Sequence, residues 1–124
     1  MTKLSSQPLS IMIAGPYRSG TGDDPALIAA NLRAMNEVAL QIYRAGHIPV
    51  VGEWFALPLV ETAGSTQLGD AIFNEIFHPI AWAVSQRCDA TFRLPGASQG
   101  ADEMVRLAES LGQPVFYRIE DLPA

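Results

Sequence analysis

What this sequence is short of narrows it first. Cys88 is its single cysteine, so no disulfide closes within the chain, and a reducing, cytoplasmic setting is the expectation. Eight Lys and Arg side chains face thirteen Asp and Glu, a net charge of −5. With no basic cluster anywhere, a nucleic acid polymer is not an expected partner. His47 and His78 stand far apart, without Cys, His or acidic neighbours at ligand spacing, so no metal site is expected. The nucleotide fingerprints G-x-G-x-x-G and G-x-x-x-x-G-K-[ST] are absent, as is the G-x-S-x-G elbow of serine hydrolases, and no cofactor is expected. No long hydrophobic run survives inspection either. "IPVVGEWFALPLV" is interrupted by Gly52, Glu53 and Pro58, so no membrane span is expected. "LSIMIAG" is short and runs into "PYRSG" where a signal peptide would carry small residues, so it reads as a strand.

What is present fits one globular domain over 1–124, with residues 1–8 as a loose polar tail. Hydrophobic residues make up 48% and charged residues 17%, enough apolar material for a core without staples. Ile-rich "LSIMIAG" is stopped by Gly15-Pro16 and reads as a buried strand. Asp24-Pro25 then opens a helix, with an N-cap side chain and proline at the first helical position. Leu27, Asn31, Ala34, Met35, Val38 and Ile42 predict its inner face, and Gly46 its end. "HIPVVG" is the second strand. The stretch from Glu53 to Gln67 lacks a clean period and reads as loop with some short helix. "LGDAIFNEIF" and "IAWAVSQR" read as two helical pieces broken near Pro79. "CDATFRLPG" is the third strand, residues 100 to 111 a helix, and "QPVFYRI" the fourth strand. This alternation predicts an α/β fold, Rossmann- or flavodoxin-like, with a parallel sheet of four to five strands flanked by helices. In such a sheet the segments "GPYRSG", "GEW" and "PGASQG" meet beyond the carboxyl ends of the strands.

Each of those segments carries polar chemistry, and each has a plainer reading. Gly15-Pro16-Tyr17-Arg18-Ser19-Gly20 offers a guanidinium whose planar fork suits a phosphate or carboxylate. An ordinary Gly-Pro turn with an exposed arginine fits the same residues equally well. Ser98-Gln99-Gly100 opens a helix where backbone N–H groups attract an anion. Asp102 and Glu103 follow at once; acids there usually offset the helix dipole and would repel a phosphate. Trp54, beside Glu53, is either a stacking surface for a base or partly buried packing. Met104 shares a helical face with Ala101, Ala108 and Leu111, which assigns it to the core.

"IMIAGPYRSG", "HIPVVGEW" and "CDATFRLPGASQGADE", in this order and over most of the chain, resemble the nucleoside 2-deoxyribosyltransferase superfamily. The likeness is nearest to a small bacterial and phage branch related to 2′-deoxynucleoside 5′-monophosphate N-glycosidases. In those enzymes the first loop reads G-S-I-R-G-G; Gly15, Arg18 and Gly20 match it, which implies contact with the sugar-phosphate. Tyr17 matches an aromatic that lies beside the reacting sugar. Ser98 and Gly100 match an S-x-G that touches phosphate, Asp89 an acid that begins that strand, and Glu53 falls at a T-E-H element. The implied partner is a small nucleoside or nucleotide. The implied chemistry is departure of the base from the anomeric carbon while a carboxylate stabilises or traps an oxocarbenium-like centre. The family's glutamate stands four residues after the S-x-G glycine, where this chain has Met104. Glu103 is one residue early, about 100° around a helix, and Asp102 is the next acid. The P-G-G-x-G-T-x-x-E loop of nucleotide phosphoribohydrolases is partly matched as well, by Pro95-Gly96, Gly100 and Glu103. The resemblance further implies a homodimer or larger homo-oligomer. Two alternatives stand beside an active enzyme: a nucleotide-binding or regulatory module that has lost the nucleophile, and an interaction domain using Trp54 and Phe55.

Overall fold

The computed structural model describes residues 4–124. Its centre is a parallel four-stranded sheet in the order β2-β1-β3-β4. The strands are β1 (Ser10–Ala14), β2 (Ile48–Val51), β3 (Ala90–Arg93) and β4 (Val115–Phe116). Four helices flank it: α1 (Pro25–Arg44), α2 (Gly52–Thr62), α3 (Ala71–Gln86) and α4 (Gln99–Ser110), followed by a short 3₁₀ turn at Ile119–Asp121. The expected α/β fold with a parallel sheet is thus the observed one, at four strands.

β1 is central, and Ile11 to Ala14 are all buried, as a strand covered on both faces requires. Pro49 is tolerated in β2 because that strand is an edge and one side of it needs no donor. On one face Ile11, Ile13 and Phe92 pack with Met35, Ala39 and Ile42 of α1. A second apolar cluster joins Ala56 and Val60 of α2 to Phe73 and Phe77 of α3. Asp24 caps α1, its carboxylate accepting from Ala26 N–H at 2.9 Å with Pro25 at the first helical position. Gly46 follows that helix at φ +99°, within reach of the N-terminal segment. Residues 1–3 of the expected tail lie outside the described residues. Leu4–Pro8 forms neither helix nor strand, and Ser5 N–H donates to the Gly46 carbonyl at 2.8 Å.

Several local expectations need correction. The inner face of α1 is Ile28, Met35, Ala39 and Ile42. Leu27 and Ala34, assigned to it from spacing, are exposed. The expected loop after Glu53 is the eleven-residue helix α2, which runs through Pro58. The expected break at Pro79 does not occur, and α3 continues for sixteen residues. In both helices the proline is exposed, so the carbonyl it leaves without a partner lies on the solvent side. The apolar stripe on the other side carries the helix past it. β4 shrinks to two residues.

Candidate functional site

Going from β1, the chain passes to β2 on one side, then returns across β1 to β3 and β4 on the other. The loops after β1 and β3 therefore diverge, leaving a crevice beyond the carboxyl ends of these two strands. A cavity of about 870 Å³ occupies it, within the range of small-molecule sites.

The loop after β1 forms one wall. Gly15 lets the two strand ends approach, since a Cβ there would stand 3.2 Å from Leu94 Cβ. Tyr17 stacks on Phe77 with centroids 5.4 Å apart, and its carbonyl accepts from Asn31 Nδ2 at 2.8 Å. Burial, then the negative charge of Glu53, raise the Tyr17 phenol above its ordinary value against the opposing Arg18. Arg18 lies 5.5 Å above the centre of the Phe73 ring. Its Nε and Nη2 donate to Asp23 Oδ1 and Oδ2 at 3.0 and 2.9 Å. That bidentate hydrogen bonding holds the Asp23 carboxyl below the usual carboxylate range. The turn between them runs through left-handed backbone at Gly20, Gly22 and Asp23.

The floor is the start of α2. A Cβ on Gly52 would sit 3.0 Å from Ala81 Cβ, so glycine allows α2 and α3 to close on each other. Glu53 is buried. Burial pushes its carboxyl up to about 7, and the hydrogen bond from its own backbone N–H offsets only part of that penalty. Among the described residues no side chain hydrogen-bonds to it. The third wall is α3, through Phe73, Phe77, His78 and Trp82. The fourth is the start of α4, where Ser98 Oγ caps the helix by accepting from Ala101 N–H at 3.1 Å. Glu103 and Met104 both line the cavity from there.

Of the residues singled out from sequence, the cavity gathers Gly15, Tyr17, Arg18, Ser19, Glu53, Ser98, Gly100 and Glu103. Pro16 and Gly20 belong to its first loop without facing it. Three others lie elsewhere. Trp54 is half exposed and donates from Nε1 to Asn36 Oδ1 at 2.8 Å, against α1. Asp102 is turned away from the cavity and pairs with Arg93 Nη2 at 3.0 Å. Asp89 is at the other end of the sheet, accepting from Ser10 N–H and Oγ at 2.9 and 3.0 Å, where it ties β3 to β1. Met104 is corrected in the opposite sense: it was assigned to the core and it faces the cavity. The aromatic wall of α3 was missed. Its signal was the i,i+4 pairs Phe73/Phe77 and His78/Trp82, obscured by assuming a break at Pro79. Among the described residues no three His, Cys, Asp or Glu side chains form a metal-binding group. Among the described residues no helix is long and apolar enough to cross a membrane.

An α/β protein whose cavity opens at the strand-order reversal is the class so defined. Among solved structures, the chain is similar to a 2-deoxyribosyltransferase from the psychrotolerant bacterium Bacillus psychrosaccharolyticus. The TM-score is 0.61 and the identity 16%, over 86% of this chain and 69% of that one. The likeness is one of fold. No protein-family model and no curated protein matches the sequence.

Proposed function

We propose that this chain binds a nucleoside or its 5′-monophosphate in the cavity and cleaves or transfers its N-glycosidic bond. The observation that carries this reading is the meeting of Tyr17, Glu53, Ser98 and Glu103 in one cavity, on a fold similar to a 2-deoxyribosyltransferase. The departing base needs a proton and the sugar carbon needs a negative neighbour. Glu53, with a carboxyl at about 7, is in part protonated at neutral pH and suits the first task. Glu103, exposed at the cavity wall, suits the second. The aromatic wall of α3 offers stacking for the base. Water or a second base then receives the sugar. Exposed Trp54, Phe55 and Leu59 on α2 suit association of copies, in keeping with a homo-oligomer.

The test is release of free base from a panel of nucleosides and deoxynucleosides and their 5′-monophosphates. Loss of release in Glu103→Gln, roughly a hundredfold or more as for removal of a charge-stabilising group, is the expected outcome. A second reading is favoured by Met104, which lines the cavity at the position of the family's glutamate: a binding or regulatory module without turnover. Binding of a panel member with no base released, and release gained in Met104→Glu, would establish that one instead.

A further inference from the structure

Arg18 is the one Lys or Arg among the residues lining the cavity, whereas Asp23, Glu53 and Glu103 all line it. The guanidinium is fixed on three sides. The Phe73 ring lies beneath it, and a Cβ on Gly69 would stand 3.0 Å from Nη1. Asp23 closes the Nε–Nη2 edge with two hydrogen bonds at 3.0 and 2.9 Å. That edge is the one a phosphate or carboxylate ligand would take. The backbone at Asp23 is fixed, and its carboxylate stands partly exposed beside Arg18: its N–H donates to Thr21 Oγ1 at 3.1 Å, the Thr21 hydroxyl donates to the Arg18 carbonyl, and its φ is +61°. The other anion-attracting feature, the start of α4, already has its Ala101 N–H satisfied by Ser98 Oγ, and Asp102 stands in its first turn.

We infer that Asp23 is a specificity-determining residue, a built-in carboxylate that fills the fork of Arg18 and turns away ligands carrying a phosphate. This rests on the proposed nucleoside site and narrows it. A dianionic phosphate brought here would have to displace Asp23 and then sit among Asp23, Glu103 and the partly protonated Glu53 with a single guanidinium. A ligand whose sugar end is uncharged meets no such opposition. Asp23 acts through Arg18, as a positioning residue.

The experiment is calorimetric titration of a nucleoside and its 5′-monophosphate into wild type, Asp23→Asn, Asp23→Gly and the double variant Arg18→Gln/Asp23→Asn. Asparagine and glycine both accept left-handed backbone, so the loop keeps its path. Wild type is expected to bind the nucleoside more tightly. In both single variants the ratio of monophosphate to nucleoside affinity should rise about tenfold and fall with added salt, as for a newly freed charge pair. The double variant should lose that gain. Nucleoside binding with an unchanged ratio in Asp23→Asn and Asp23→Gly, or a gain that persists without Arg18, overturns the role of Asp23 alone. Binding of neither ligand by any of the proteins overturns the nucleoside site and this inference with it.

Discussion

The two ends of the sheet hold similar side chains and use them differently. Where the strands begin, Asp89 accepts twice from Ser10. Buried His47 accepts from Leu9 N–H at Nδ1 and meets the Pro123 carbonyl at Nε2, 3.0 and 2.6 Å away. His47 is closed into the fold, Asp89 is exposed but paired twice, and the two tie strands and termini together. Where the strands end, Glu53 is buried, though at 9% exposure less so than His47 at 1%, and has no side-chain partner among the described residues, and Glu103 faces the cavity. A buried polar group that is fully paired supports structure. One left without partners lowers stability, as Ser85 Oγ, Thr91 Oγ1 and Gln113 Oε1 do away from the cavity; beside a cavity it also faces any ligand.

The largest expected effect that would break this contrast is at Glu53. Its carboxyl is raised by burial to about 7 from an ordinary 4.5. The stability that goes with the protonated form is therefore complete below the ordinary value and lost as pH rises through about 7. Relative to Glu53→Gln, wild type should lose about 3 kcal/mol between acid and pH ~8.5. In thermal melts the variant should then be more stable than wild type at high pH, by on the order of 10 °C. A gap that does not change with pH would show Glu53 to be as well accommodated as its counterparts at the other end.

Next is His47→Leu, which leaves Leu9 N–H and the Pro123 carbonyl without the imidazole. A loss of roughly 2 kcal/mol is expected in denaturant unfolding, with base release per folded molecule unchanged. Ser98→Ala should cost about 1 kcal/mol through the lost cap of α4. It should also weaken ligand binding, because Ser98 belongs to both structure and cavity. The smallest effect is that of Asp102→Asn. Its pair with Arg93 is half exposed, so stability should move by ~0–1 kcal/mol and base release hardly at all. A large drop in release would return Asp102 to the reaction.

The sequence made the switch-point architecture legible because its punctuation is local. Asp24-Pro25 opens α1, Gly46 follows its end, and the Ile-rich run of β1 needs cover on both faces. The loops following those strands announce that Tyr17, Arg18, Glu53 and Ser98 meet, and the cavity holds them together with Glu103. What was not legible depends on packing between distant segments. Pro58 and Pro79 signal breaks in isolation, yet α2 and α3 both continue through them, with Ala56 and Val60 packed against Phe73, Phe77 and Ile80. Asp102 and Glu103 are neighbours in sequence, and Arg93 decides between them by holding Asp102 outside. That Asp23 would occupy Arg18 followed from a turn with left-handed backbone at Gly20, Gly22 and Asp23, three of four residues, which spacing does not announce.

Gly96 holds φ +113°, and a Cβ there would stand 2.9 Å from Pro16 Cγ. The loops that follow β1 and β3 are thereby keyed together behind the cavity like teeth of a zip, although eighty residues separate Pro16 from Gly96 along the chain. Any attempt to reshape one loop, by nature or in a mutant library, has to treat Pro16 and Gly96 as a single joint variable.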